Sequence, residues 1–145
     1  MTDADAVLHA ELATLRRRVD ATESVLAIQQ LKARYGDLVD QRFVRGAVVE
    51  GHRLDALAAQ IAALFTEDAE WDGGPALGVA TGRDAIAARL ASPTVSFSRH
   101  FFVRPVIDVD GDRATGRWDL LAPCTAVDGS SYWMCGVEDL SLIHI

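Results

Sequence analysis

Residues 99–118 read RHFFVRPVIDVDGDRATGRW, and along most of this stretch apolar and polar side chains alternate. A period of two marks strands rather than helices. Asp110-Gly111 interrupts the alternation, and Asp128-Gly129 does so again further on. Asp-Gly pairs suit the left-handed backbone of two-residue hairpin turns. Working outward, Ser96–Val109, Arg113–Val127 and Ser131–Asp139 read as three long antiparallel strands of a meander. Turning at Asp110-Gly111 pairs Val109 with Asp112, and therefore His100 with Leu121, Phe102 with Asp119 and Arg104 with Arg117. One face then carries His100, Phe102, Leu121, Tyr132 and Met134. The other carries Phe101, Val103, Ile107, Trp118, Leu120, Trp133 and Val137. That apolar face must be covered. Either it lines a cavity while His100 looks outward, or His100 looks inward and the apolar face joins subunits; a bulge near Pro105 would switch the phase.

Helical periodicity precedes the strands. Leu8, Leu12, Leu15 and Val19 follow alternating four- and three-residue steps, predicting a leading amphipathic helix over residues 1–23 behind a Thr2 or Asp3 cap, a short coiled-coil arm. Asp20-Ala-Thr-Glu23 resembles a capping box, so a second helix is expected to start there with Ile28, Leu31, Tyr35 and Leu38 on one stripe. Leu54, Leu57, Ile61, Leu64 and Phe65 mark another helix. A short strand near Ala69–Trp71, a turn at Asp72–Pro75 and a helix capped by Thr81 with Ile86 and Leu90 follow. Helices first and a meander second make the class α+β, in one domain over residues 24–139. The final LSLIHI, residues 140–145, reads as a non-native tail from adapter sequence, with the natural domain continuing past Asp139.

Composition narrows the function. The chain has 145 residues, half of them apolar, enough for one core. Fourteen basic against twenty-one acidic residues give a net charge of −7, and no basic stripe offers itself to nucleic acid. MTDADAVLHAEL has no cationic flank, and no run reaches the roughly 18 apolar residues of a membrane span, so a cytoplasmic chain without membrane partners is expected. A turn at Asp128-Gly129 would set Cys124 opposite Trp133 and Cys135 opposite Ala122, which favours neither a disulfide nor a zinc site. Gly73-Gly74-Pro75 lacks the Lys-Ser/Thr of a phosphate loop, and no serine stands in a Gly-x-Ser-x-Gly setting.

Three residues could carry chemistry without metal or cofactor: the Asp40 carboxylate, the His100 imidazole and the Tyr35 phenol. Each has a plainer reading. Asp40 could decorate a helix end, although an acid in a helix's last turn opposes the dipole. His100 could be a structural strand histidine, and Tyr35 a core tyrosine. At about 100° per residue Tyr35 and Asp40 lie about 140° apart, so both reach one cavity only if the helix ends or bends there. Phe65 and Trp71 could wall a cavity or pack the core.

The blocks AIQQLKARYGDLVDQ, LAAQIAALFTEDAEWDGG, TGRDAIAARL and RHFFVRPVIDVDGDRATGRW, in this order and spacing, resemble the SnoaL-like group of the nuclear-transport-factor-2-like superfamily. The resemblance implies a cone: a curved antiparallel sheet on N-terminal helices around an apolar cavity, here with an extra N-terminal helix. Tyr35 and Asp40 match the Tyr-x-x-x-x-Asp of bile-acid-dehydratase-like members, and His100 matches the histidine that heads their first long strand. Arg104 stands where relatives often have asparagine. The function implied is a cofactor-free dehydratase or isomerase for a small apolar cyclic or polyketide-like molecule. Asp40 would be the base, His100 the acid or its partner, and Tyr35 the polarising donor, with Phe65, Trp71, Phe102, Leu121, Tyr132 and Met134 around the substrate. A non-catalytic binding module and the small subunit of a ring-hydroxylating dioxygenase are the alternatives, and a homo-oligomer through a sheet face is expected.

Overall fold

One helix, α1, runs unbroken from Asp3 to Asp40 in the computed structural model, which describes residues 3–143. The helix start expected at Asp20–Glu23 is corrected by this. No Gly or Pro stands between Asp3 and Tyr35 to break the helix, and the hydroxyls there do not cap. Thr22 donates to the Arg18 carbonyl at 2.8 Å and Ser24 to that of Asp20 at 2.9 Å, both four residues back within a continuing helix. Thr2, the alternative cap, lies outside the described residues. At about 1.5 Å per residue α1 is roughly 57 Å long, and only its second half is buried.

A small hairpin, β1 (Phe43–Val44) with β2 (Ala47–Val48), leads to α2 (His52–Ala62). Next come β3 (Glu70–Asp72), α3 (Gly74–Leu77), β4 (Val79–Thr81) and α4 (Arg83–Leu90), with β3 and β4 paired antiparallel. Thr81 ends β4 instead of capping α4; Gly82 takes the N-cap position, at φ 83°, without a side-chain bond. Leu38, Val39, Leu57, Ile61, Ile86 and Leu90 make one buried cluster, which joins the end of α1 to α2 and α4. Arg42 ties two helix ends together, its guanidinium donating to the Val39 carbonyl at 3.0 Å and the Leu90 carbonyl at 2.9 Å.

The sheet is built on β7 (Arg113–Ala126). Along one side it pairs with β6 (Phe101–Asp110) and then β5 (Val95–Ser98), and along the other with β8 (Ser131–Ile143). The first predicted strand is thus two, parted at Arg99-His100. The expected register needs correcting. Asp110 pairs with Arg113, so Gly111 and Asp112 form the turn and Val109 faces Ala114. Then Arg104 and Pro105 together oppose Trp118, a bulge with Arg104 at φ 55°, and beyond it Phe101 faces Leu121. The bulge resolves the choice between faces. Val109 and Ile107 on one side of it, and Phe102 and His100 on the other, all fall on the inner face together with Trp118 and Leu120. Leu121 joins Phe101, Val103, Trp133 and Val137 on the outer face, which is exposed.

Trp118 can lie flat along the inner face because Gly116 has no side chain; a Cβ there would stand 2.4 Å from the indole. Ile28 of α1, Ala114 and Trp118 form the second buried cluster, with Phe102, Ile107, Leu140 and Leu142 packed on it. Residues 140–143, expected to be foreign to the fold, extend β8: Leu140 pairs with Gly116 and Leu142 with Ala114. Residues 144 and 145 lie outside the described residues. The second hairpin is also shifted, placing Cys124 opposite Tyr132 and Cys135 opposite Leu121. No helix is long and apolar enough to cross a membrane, among the described residues.

Candidate active site

Asp40 ends α1, and its carboxylate turns toward the break between β5 and β6. Oδ1 accepts the backbone N–H of His100 at 3.0 Å and lies 2.8 Å from Nδ1 of its ring, while Oδ2 meets the Arg99 guanidinium at 3.2 Å. The side chains of Asp40 and His100 are 9% and 11% exposed. An acid in the last helical turn opposes the dipole. Here two N–H donors and a guanidinium offset that cost, which accounts for its place. With Nδ1 donating to Asp40, the other ring nitrogen, Nε2, is the basic one, and it has no hydrogen-bond partner among the described residues.

Asp40, His100 and Phe102 line a cavity of about 460 Å³ together with Lys32, Gly36 and Trp118. Phe102 stacks on His100, ring centroids 6.0 Å apart and planes at 18°. Gly36 lets this ring approach the helix, since a Cβ there would stand 3.1 Å from Phe102.

A second cavity, of about 730 Å³, shares Lys32 with the first and holds Tyr35, Phe65 and Trp71. Leu31, Glu138, Leu140 and Leu142 also line it. The Tyr35 ring lies edge-on to Phe65 at 6.1 Å and 5.9 Å from Phe102. Burial first, and Glu138 next, push the Tyr35 phenol up to about 12, against a hydrogen bond from Trp71 and the charge of Arg42. The phenol is therefore a donor at any ordinary pH.

The structure brings Asp40 and His100 into contact and places Phe102 beside them. It does not bring Tyr35 to the same wall; the Tyr35 and His100 rings lie 5.9 Å and 6.0 Å from that of Phe102, but Tyr35 lines the second cavity. Leu121 lies on the outer face, because the corrected register moves it there. Tyr132 sits half-exposed beside Cys124, and Met134 opposite Ala122; neither lines the two cavities.

Lys32 was missed, and it is the one cation lining both cavities. Its side chain is 5% exposed, paired with Glu138 of β8. The ammonium stands 3.9 Å from the centroid of Phe102, 4.8 Å from Tyr35 and 5.5 Å from Trp118. Burial holds its pKa below the usual lysine value, with Glu138 pulling the other way. Its only sequence signal was its place on the helical stripe Ile28, Lys32, Tyr35, where an apolar residue belongs. Among the described residues, no group of three or more His, Cys, Asp or Glu side chains gathers as a metal site requires.

The SnoaL-like domain family matches residues 20–139, from within α1 to β8. No curated protein matches the chain. Among solved structures, a nuclear-transport-factor-2-like protein with a cystatin-like fold from Novosphingobium aromaticivorans is 26% identical, with a TM-score of 0.64 over 91% of this chain and 77% of that one. The hexachlorocyclohexane dehydrochlorinase LinA-type3 from Novosphingobium barchaimii is 21% identical, with a TM-score of 0.67 over 86% and 78%. Aln2 from a Streptomyces species is 18% identical, with a TM-score of 0.60 over 85% and 81%. The order of helices and curved sheet, the shared fold of these structures and the match over residues 20–139 make this chain a member of the SnoaL-like domain family.

Proposed function

We propose that the protein is a cofactor-independent acid/base enzyme, a lyase or isomerase acting on a small, largely apolar cyclic or polyketide-like molecule. The observation that carries this reading is the Asp40–His100 pair, with Nε2 of the ring left for a ligand beside Phe102. His100 takes the C–H proton on Nε2. The C–H electron pair moves to form a double bond, and either a leaving group departs with its own bonding pair or a neighbouring carbonyl becomes an enolate. Asp40 is a positioning residue that fixes the tautomer and stabilises the imidazolium. This moves the base from Asp40, where the sequence suggested it, to His100. The Lys32 ammonium supplies positive charge toward a ligand oxygen. The dehydrochlorinase that shares the fold performs an elimination by its name; at 21% identity it supports the fold and only illustrates the reaction type.

The second reading is a binding module, favoured by the larger cavity with the aromatic side chains of Tyr35, Phe65 and Trp71 in its wall. 2-Tetralone, an apolar cyclic ketone with an acidic C–H bond, separates the two readings. Catalysis predicts protein-accelerated exchange of its α-hydrogens in heavy water, followed by mass spectrometry, reduced at least about a hundredfold in His100→Ala. Saturable binding with no accelerated exchange in the unaltered protein would favour the module.

A further inference from the structure

The first half of α1 is set apart from both buried clusters of the domain. Residues 3–20 are all exposed, and the family match begins only at residue 20. Yet this segment carries an apolar stripe. Leu8, Leu12, Leu15, Val19 and Leu26 are 42–54% exposed, and with Thr22 they follow steps of four, three, four, three and four. That is a heptad seam with Leu12, Val19 and Leu26 at a and Leu8, Leu15 and Thr22 at d. A lone helix in water gains nothing from such a stripe, because helix stability in proteins comes from burying an apolar face.

We propose that residues 8–26 of α1 form a parallel, in-register two-stranded coiled coil with a second copy of this chain. Charge decides the partner. The seam puts Glu11 and Arg18 at g, and Arg16 and Glu23 at e. In a parallel dimer each g residue meets the e residue five positions later on the other strand. Glu11 then meets Arg16 and Arg18 meets Glu23, opposite charges both times and each pair twice by symmetry. Among the described residues none of these four makes an ion pair in its own chain. Val19 at a with Leu8 and Leu15 at d suits two strands. The seam is also accessible. It lies about 130° round the helix from the stripe Val25, Ile28, Lys32 and Val39 that packs on the domain, so two domains would stand side by side beyond the coil.

The test uses the full chain. Sedimentation equilibrium should give a dimer for the unaltered protein and a monomer for Leu12→Glu/Leu15→Glu, whose near-ultraviolet circular dichroism stays unchanged because residues 3–20 bury nothing. Glu11→Lys/Glu23→Lys and Arg16→Glu/Arg18→Glu should each self-associate at least tenfold more weakly, and an equimolar mixture of the two should recover a dimer. Leu8→Cys in a Cys135→Ser background should oxidise to a covalent dimer, as only the parallel register brings the two positions together. A monomeric unaltered chain, or a dimer of unchanged affinity in Leu12→Glu/Leu15→Glu, would overturn the proposal. So would charge variants that associate no better mixed than apart, or a Leu8→Cys chain that does not cross-link.

Discussion

Oδ1 of Asp40 holds His100 twice, through its backbone N–H at 3.0 Å and its ring Nδ1 at 2.8 Å. One oxygen at the end of α1 thus sets where the break before β6 lies and which way the His100 ring turns. The two residues are 60 positions apart in sequence, so this contact joins the helix layer to the sheet at the rim of the smaller cavity. Structure and the proposed chemistry depend here on the same atom.

Asp40→Asn should separate the two. The amide keeps a similar shape but loses the charge and offers its oxygen to only part of the former set of donors. The ring is then no longer held with Nδ1 as donor, and α-hydrogen exchange of 2-tetralone should fall by at least about a hundredfold while the fold survives. Thermal unfolding and exchange measured on the same sample check both halves. Undiminished exchange would leave Asp40 a purely structural residue.

Tyr35 gives a pH dependence of known sign. Its phenol is pushed up to about 12 in the folded chain, whereas an unfolded tyrosine titrates near about 10. Between those values the folded state holds a proton that the unfolded state has released. The stability this contributes is complete below about pH 10 and is lost as pH rises through 12. Tyr35→Phe has nothing to titrate there, so its stability should fall less steeply than that of the unaltered protein from pH 10 upward. Urea unfolding at pH 9, 10 and 11 measures the two slopes; parallel slopes would contradict the burial argument.

The architecture was legible because periodicity reports burial. The period of two from Ser96 onward marked the sheet, and the spacing of Leu54, Leu57 and Ile61 marked α2, which ends at Ala62, short of the expected Leu64 and Phe65. Register was not legible, for two local reasons. Asp110-Gly111-Asp112 is a run of turn-forming residues that allows two placements of a two-residue turn, and the bulge at Arg104-Pro105 shifts the phase once more. Together they moved Leu121 to the face opposite His100 and Trp118 to the same face as His100. His100 was picked out through the family resemblance, whereas Asp40 also carried a local signal, an acid in a helix's last turn where it opposes the dipole. Lys32 escaped because its partner Glu138 is 106 positions away, and a lone helical lysine ordinarily reads as solvated.

The bulge itself is testable. Arg104 sits at φ 55°, a conformation that costs a residue with a Cβ about 1 kcal/mol. Its bond to Asp119 at 2.8 Å is exposed and contributes little. Arg104→Ala removes the ion pair and keeps the strain; Arg104→Gly removes both. The glycine variant should therefore be the more stable by about 1 kcal/mol, the reverse of the usual order of alanine and glycine. Guanidinium unfolding of the two variants decides it, and a more stable alanine variant would mean that this backbone relaxes once the arginine is gone.

Lys32 and Glu138 are unequal partners, and their variants should show it. Glu138→Gln leaves a nearly buried ammonium among Phe102, Tyr35 and Trp118 without its carboxylate, which should cost about 3 kcal/mol. Lys32→Met should cost less, because the Glu138 side chain is 30% exposed and can turn to water. In the double variant the apolar replacement fills the aromatic cage and no buried charge remains, so most of the loss in Glu138→Gln should be recovered. A double-mutant cycle from urea unfolding measures this coupling. The deficit of Glu138→Gln should also shrink as pH rises. Burial already holds Lys32 below its ordinary value, and without Glu138 the folded chain sheds that proton sooner than the unfolded chain does. A deficit that stays constant with pH would mean that water, rather than Glu138, solvates the ammonium.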